Sequence, residues 1–281
     1  MISVVQLGQL DYAEGIRLQQ KLVALRKTGE IDDVLLLLEH SPVITLGRNA
    51  KAVNVLASAD TLAARGVEVF ECDRGGDVTF HGPGQLVGYP IFDLRAHEVL
   101  SLDGGLRSPV LADRTVRSTR TTTTQTRKTL GAVDYVRRLE EVLLRTCGDF
   151  GIPTRRIPGL TGAWTDSERS AKIAAIGVHI SRSVTSHGFA LNVNPDLSYF
   201  NLIVPCGIAA KPVTSMEKEL GPPLHVDEVA HSVSRNFGIV FGRQMLWLDT
   251  LDALLGNTVG VPMKAPEELR RMHGEDDLFL A

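Results

Sequence analysis

The sequence predicts an α/β fold of the α+β kind, a mixed β-sheet flanked by helices. Three observations carry this. Short apolar runs such as "DVLLLLEH" (33–40) have the length of strands buried on both faces. Longer stretches at 11–27, 130–150 and 226–241 carry apolar residues at helical spacing. Strands and helices then intermix without a strict βαβ period, which argues against a Rossmann arrangement.

Taken in order, the first element is a helix over 11–27, with Tyr12, Ile16, Leu18, Leu22 and Leu25 on one side. "DVLLLLEH" and "PVITLG" follow as strands, the second ended by Gly47. "SADTLAARG" (58–66) reads as a helix capped by Ser58 or Asp60 at its start and by Gly66 at its end. "VEVFEC" alternates as a half-buried strand does. In 74–94, "RGGDVTFHGPGQLVGYPIFDL", strand pieces at 78–81 and 86–92 are joined by a Gly-Pro-Gly turn. A helix resumes at 130–150, with Val133, Val136, Leu139, Val142, Leu143 and Phe150 at helical spacing. "SAKIAAIGVHI" (170–180) and "HGFALNVN" (187–194) form a hairpin joined by "SRSVTS", and the helix 226–241 closes the pattern.

Residues 1–245 are expected to form a single domain, with a flexible insertion at about 97–127 and a C-terminal extension at 246–281. Within 114–128 there are seven threonines and five basic residues but no acid. Such a segment buries too little apolar area to offset its ordering entropy.

Composition narrows the function. Hydrophobic residues make up 43% and charged residues 22% of the 281, enough for a sizeable core. A net charge of −3 is too near neutral for a nucleic-acid-binding protein. The three cysteines, Cys72, Cys147 and Cys206, form no CxxC pair and suit a reducing compartment. The start "MISVVQLGQLDYAEG" lacks a signal-peptide pattern, and no apolar run is long enough to span a bilayer. A cytoplasmic protein with no membrane and no nucleic-acid partner is expected.

The common catalytic signatures are absent: no GxGxxG, P-loop, GxSxG elbow or HExxH occurs. Attention falls instead on Cys206, set between Pro205 and Gly207 in "NLIVPCGIAA". A lone cysteine is ordinarily a small buried hydrophobe. Cys147, inside the helical "LLRTCGDF", fits that description. Cys206 sits on a stiff turn, and a reactive thiol there needs a partner that moves its proton. His81, His179, His187 and Lys172 are candidates. Lys172 opens the otherwise uncharged "IAAIGV". It stands either at the strand mouth in water or buried beside a partner, where it serves as a general base. Gly75, Gly76, Gly177 and Gly188 form packing corners or let backbone approach a ligand. The apolar Phe80, Leu86, Ile176, Phe189 and Leu191 around them suit an extended acyl chain.

These segments together ("RGGDVTFHGPGQLVGYPIFDL", "KIAAIGVHI", "TSHGFALNVNPDL" and "IVPCGI") resemble the lipoyl(octanoyl) transferase family over most of 1–240. The resemblance implies a fold like that of biotin and lipoate protein ligases, with no cofactor and no metal. It implies transfer of an octanoyl group from octanoyl-acyl carrier protein to a lysine of lipoyl domains. Those domains belong to 2-oxoacid dehydrogenase complexes and the glycine cleavage H protein. Cys206 matches the nucleophile that carries the thioester, and Lys172 the lysine that serves it as acid and base. Arg74, Gly75, Gly76, Asp77, Val78, Thr79, Phe80 and His81 match the substrate pocket. So do Ala175, Ile176, Gly177, Gly188, Phe189 and Ala190. Backbone N–H groups at Gly207 or at the Gly75–Gly76 pair are candidates for holding the oxyanion. The insertion departs from the family pattern. It either helps acidic partners dock or is a tolerated surface loop.

Three rivals stand beside this reading. One is an ATP-dependent lipoate or biotin ligase, which has no need of Cys206. Another is a thioesterase using the same two residues. The third is a non-catalytic metal or acyl-binding module built on His81, His187 and Cys206.

Overall fold

The computed structural model describes residues 1–101, 126–205 and 211–256. Its first half runs β1 (Ile2–Leu10), α1 (Tyr12–Thr28), β2 (Asp33–His40), β3 (Val43–Leu46), α2 (Ala59–Ala64), β4 (Glu68–Glu71), β5 (Val78–His81), β6 (Gln85–Ile91) and β7 (Glu98–Ser101). Then come β8 (Thr126–Thr129), α3 (Ala132–Asp149), β9 (Thr154–Ile157), β10 (Leu160–Thr165), β11 (Lys172–Ser181) and β12 (Val184–Asn192). The chain continues through α4 (Met216–Leu220), α5 (Val226–Phe241), β13 (Met245–Leu248) and α6 (Leu251–Gly256).

An eight-stranded sheet is ordered β13-β1-β2-β6-β12-β11-β10-β9. β1 runs parallel to both its neighbours, and the remaining pairs are antiparallel. The expected mixed sheet flanked by helices is present. β2 shows why its sequence is continuously apolar. Leu35 and Leu37 pack with α3 and α5 on one face, while Val34, Leu36 and Leu38 pack with α1 on the other. A second sheet, β4-β3-β5, lays Ile44, Val78 and Phe80 against Phe200 and Leu202.

Four details depart from the pattern-based reading. β1 carried no helix or strand assignment, because Gly8 (φ +65°) and a register shift between Gln6 and Gln9 interrupt its alternation. The hairpin loop expected over 181–186 is a tight turn at Arg182 and Ser183, with φ of 51° and 67°. Both angles are left-handed, as a two-residue turn between twisted strands requires, so β12 starts at Val184. On α3 the buried stripe runs through Tyr135, Leu139, Val142, Leu143 and Cys147, while Val133 is 73% exposed. β9 and β10 had no counterpart in the expected pattern.

Of the expected insertion, 102–125 lies outside the described residues; its ends pair as the antiparallel ribbon β7–β8. The boundary drawn at 245/246 falls inside β13, which hydrogen-bonds to β1. Among the described residues no helix is long and apolar enough to cross a membrane.

Phe237 on α5 meets the rings of Phe92, Phe189 and Phe241 and is fully buried. Phe237→Ala is expected to cost about 3–5 kcal/mol. The measurement is a lower urea midpoint at an unchanged slope; an unshifted midpoint would show that this face does not form the core.

Candidate functional site

A cavity of about 340 Å³ lies between the two sheets, against the strand face that carries Val87, Tyr89 and Ala190. Of the residues expected at a pocket, Arg74, Gly76, Asp77, Thr79 and His81 line it from the loop before β5 and from β5 itself. Ala175, Ile176 and Gly177 line it from β11, and Gly188, Phe189 and Ala190 from β12. Lys172 lines it as well. Three do not. Val78 and Phe80 alternate with Thr79 and His81 along β5 and so point away, into the core under the second sheet. There Phe80 stacks on Tyr199 at 4.7 Å. Gly75 donates its N–H to Val178 O (3.0 Å), which removes it as an oxyanion donor.

That bond seats the 74–77 loop on β11. A Cβ on Gly177 would lie 2.8 Å from Gly75 O and 3.1 Å from Arg74 Cδ, so the approach requires glycine. Arg74 is only 7% exposed. Its Nη2 donates to Thr45 O and Oγ1, both at 2.8 Å, and Nη1 to Gly75 O at 3.2 Å. The guanidinium thereby fastens the loop to β3.

The alternatives for Lys172 resolve in favour of burial: it is 8% exposed, with Nζ 4.8 Å from the centre of the Trp164 ring. Trp164 is its cross-strand partner on β10. β10 is fixed in turn by the fully buried Glu140 of α3, which accepts from Arg137, Arg156 and the N–H of Gly162. The backbone of Lys172 accepts from Thr214 N (3.0 Å) and donates to Pro212 O (2.8 Å). Cys206 lies outside the described residues. Pro205, its neighbour, lines a small cavity together with Lys172, Thr79 and Val213.

Sequence reasoning missed part of the wall. Tyr12 belongs to the apolar stripe of α1 and Tyr89 to the alternation of β6, so nothing in either pattern marks a site. Both line the cavity. Burial holds both hydroxyls protonated, far above the usual phenol range. His40 accepts from Tyr89 at Nε2 (2.6 Å) and donates from Nδ1 to Leu10 O (2.9 Å). Burial pushes it down to about 4. His81 donates from Nδ1 to Gln85 Oε1 (2.7 Å). It is pushed down to about 3, first by burial and then by the nearby His40 and Arg74.

Asp73 bonds to His187 Nε2 (2.7 Å) and to His179 Nδ1. The His187 bond leads in holding its carboxyl well below the usual range. His187 has φ 54° within β12, and its N–H donates to Gln19 Oε1 (2.7 Å). Cys147 is fully buried, its thiol pushed up to about 12 by burial, as a structural cysteine would be. Among the described residues no cluster of three or more His, Cys, Asp or Glu is arranged to hold a metal. The arrangement is a narrow slot with a small-residue wall, neutral polar groups at its back and a buried lysine.

The chain matches the model of the lipoyl protein ligase A/B catalytic domain over residues 11–107 and 118–238. It is 59% identical over 280 residues to an octanoyltransferase of Koribacter versatilis, covering 100% of both chains. It is 52% identical over 260 residues to an octanoyltransferase of Acidobacterium capsulatum, covering 91% of this chain and 96% of the relative. Among solved structures it is similar to the bipartite lipoate protein ligase of Thermoplasma acidophilum. There the TM-score is 0.63 at 12% identity, covering 96% of this chain and 90% of that one. It is also similar to a lipoate-protein ligase A bound with ATP, with a TM-score of 0.61 at 11% identity over 89% of both chains. At such identities the structural likeness speaks for the fold alone.

His40 and His81 set a pH dependence. Their folded pKa values lie below 6.5, so between about 4 and 6.5 the unfolded chain binds more protons. Their contribution is complete above about 6.5 and is lost as pH falls toward the folded values. Unfolding free energies from urea titrations between pH 7 and 4.5 should fall by up to about 1.4 kcal/mol per pH unit for each histidine. His40→Gln should flatten that slope. A flat wild-type profile across this window would mean that neither ring is held neutral.

Proposed function

This chain belongs to the lipoyl protein ligase A/B catalytic-domain family, and we propose that it is an octanoyltransferase of lipoate biosynthesis. It takes octanoate from octanoyl-acyl carrier protein as a thioester on Cys206 and passes it to a lysine of a lipoyl domain. The acceptors are lipoyl domains of 2-oxoacid dehydrogenase complexes and the glycine cleavage H protein, in the cytoplasm. The single observation that supports this best is the slot itself. Ala175, Gly177, Gly188 and Ala190 leave room for a flat acyl chain running along β11 toward buried Lys172.

In the first half-reaction the Cys206 thiolate attacks the thioester carbonyl carbon. The carrier's sulfur leaves and takes a proton from the Lys172 ammonium. In the second, the neutral amine of the acceptor lysine attacks the Cys206 acyl group. It gives a proton to Lys172 Nζ as the thiolate departs, restoring the starting pair. Exchange between sulfurs keeps the acyl group activated, so no nucleotide is consumed. The Trp164 ring, 4.8 Å from Nζ, packs against the end of the Lys172 side chain that exchanges the proton. Arg74, Gly76, Asp77, Thr79 and His81 shape one wall, and Gly75, Val78 and Phe80 hold that wall in place. An ATP-dependent ligase shares this fold, but relatives 52–59% identical named octanoyltransferase favour the carrier-bound donor.

Intact mass after incubation with octanoyl carrier protein, without ATP, should show one octanoyl group added to the wild type and none to Cys206→Ala. An acyl group persisting on Cys206→Ala would overturn the nucleophile assignment. Lys172→Ala should lower kcat by about 10²–10⁴, measured as lipoyl-domain acylation. Free octanoate as the main product with a lipoyl domain present would make the protein a thioesterase.

A further inference from the structure

A second, larger cavity lies on the other side of Lys172. It is a groove of about 720 Å³, lined among others by Leu56, Phe200, Pro205, Lys211, Pro212 and Lys218. A small cavity sits between it and the slot, sharing Lys172, Ala175 and Ala190 with the slot and Phe200, Pro205 and Val213 with the groove. The two spaces thus meet beside Lys172, and a molecule could lie in both with its reacting carbon at the junction. The groove is apolar along Phe200, Pro205 and Pro212, and Leu56 on its lining is 60% exposed. It also carries two cations. Among the described residues neither the Lys211 nor the Lys218 ammonium is in an ion pair.

We propose that this groove binds the prosthetic arm of the acyl carrier, a long amide chain with the thioester at one end and a phosphodiester at the other. This rests on the octanoyl-transfer reading above. The acyl chain fills the slot, the arm lies on the apolar floor, and Lys211 and Lys218 hold the phosphodiester. Charge decides against the other occupant. An acceptor lysine entering this way would meet the ammonium groups of Lys211 and Lys218, whereas an anion is drawn in.

The test compares wild type with Lys211→Glu/Lys218→Glu in three assays: loading from octanoyl carrier protein, loading from octanoyl-N-acetylcysteamine, which has no phosphate, and transfer from preloaded enzyme to a lipoyl domain. For the variant, KM for the carrier protein should rise about tenfold or more with kcat little changed. Salt should raise the wild-type KM and leave the variant's nearly constant. Loading from the phosphate-free thioester and transfer to the lipoyl domain should match wild type. An unchanged carrier KM overturns the proposal, as does an equal slowing with the phosphate-free donor. Slowing confined to the lipoyl-domain step also overturns it, and assigns the groove to the acceptor. If neither donor loads the wild type, octanoyl transfer itself fails and takes the groove assignment with it; normal wild-type loading with an indifferent variant removes the groove alone.

Discussion

The site depends on one join between two sheets. The N–H of Gly75 bonds to Val178 O, and Gly177 lies close enough beneath it to exclude a Cβ. On its other side the same loop is held by Arg74 on Thr45, and by the N–H groups of Arg48 and Asn49 on Arg74 O and Gly76 O. Thr79 and His81 reach the slot only because this loop sets the position of β5. A side chain at Gly177 would push the smaller sheet outward, and the slot would lose a wall while the larger sheet stayed intact.

Charge is distributed unevenly around that slot. Its back carries Tyr12, Tyr89 and His81, all neutral near pH 7, with neutral His40 behind them. Desolvation is the leading cause in each case, so the same burial that shapes the wall also keeps it uncharged. The charged groups lining the slot include Arg74 and Lys172. Arg74 is held by neutral acceptors and Lys172 lies against an indole. Asp73, ionised by its histidine partners, faces the neighbouring cavity beside α1. An acyl chain therefore meets a polar but neutral surface at the back of the slot, while Arg74, Lys172 and Asp77 bring charge to its lining elsewhere.

Much of this was legible from pattern. β2, β3, β5, α3 and α5 fall close to where periodicity puts them, because each buries a full face or stripe. Eleven of the fourteen expected pocket residues line the slot, as does Lys172, but they were not all equally readable. The glycines and His81 stood out by type, whereas only the strand alternation of β5 separates Thr79, which faces the slot, from Phe80, which does not. Tyr12 and Tyr89 were hidden because an aromatic on an apolar stripe looks the same whether it meets a core or a cavity. β1 and the β9–β10 pair were hidden for another reason. Their assignments come from partners far away in sequence, and short interrupted runs hold little local signal. Burial of Lys172 likewise followed from Trp164 across the sheet and Glu140 behind it, neither of which lies near it in sequence.

The placement of β1 bears on how the chain acquires this structure. The strand lies between β2 and β13, and Ile2 pairs with Met245. During synthesis β2 arrives within a few dozen residues, but the other edge of β1 has no neighbour until almost the whole described chain has emerged. A parallel pairing of such sequence separation pays its loop-closure entropy late. Until then an apolar strand with open N–H and C=O groups is exposed to other nascent chains. The edge of β1 that β13 covers therefore stays open until late in synthesis, and loss of β13 would harm solubility well before it touched the chemistry.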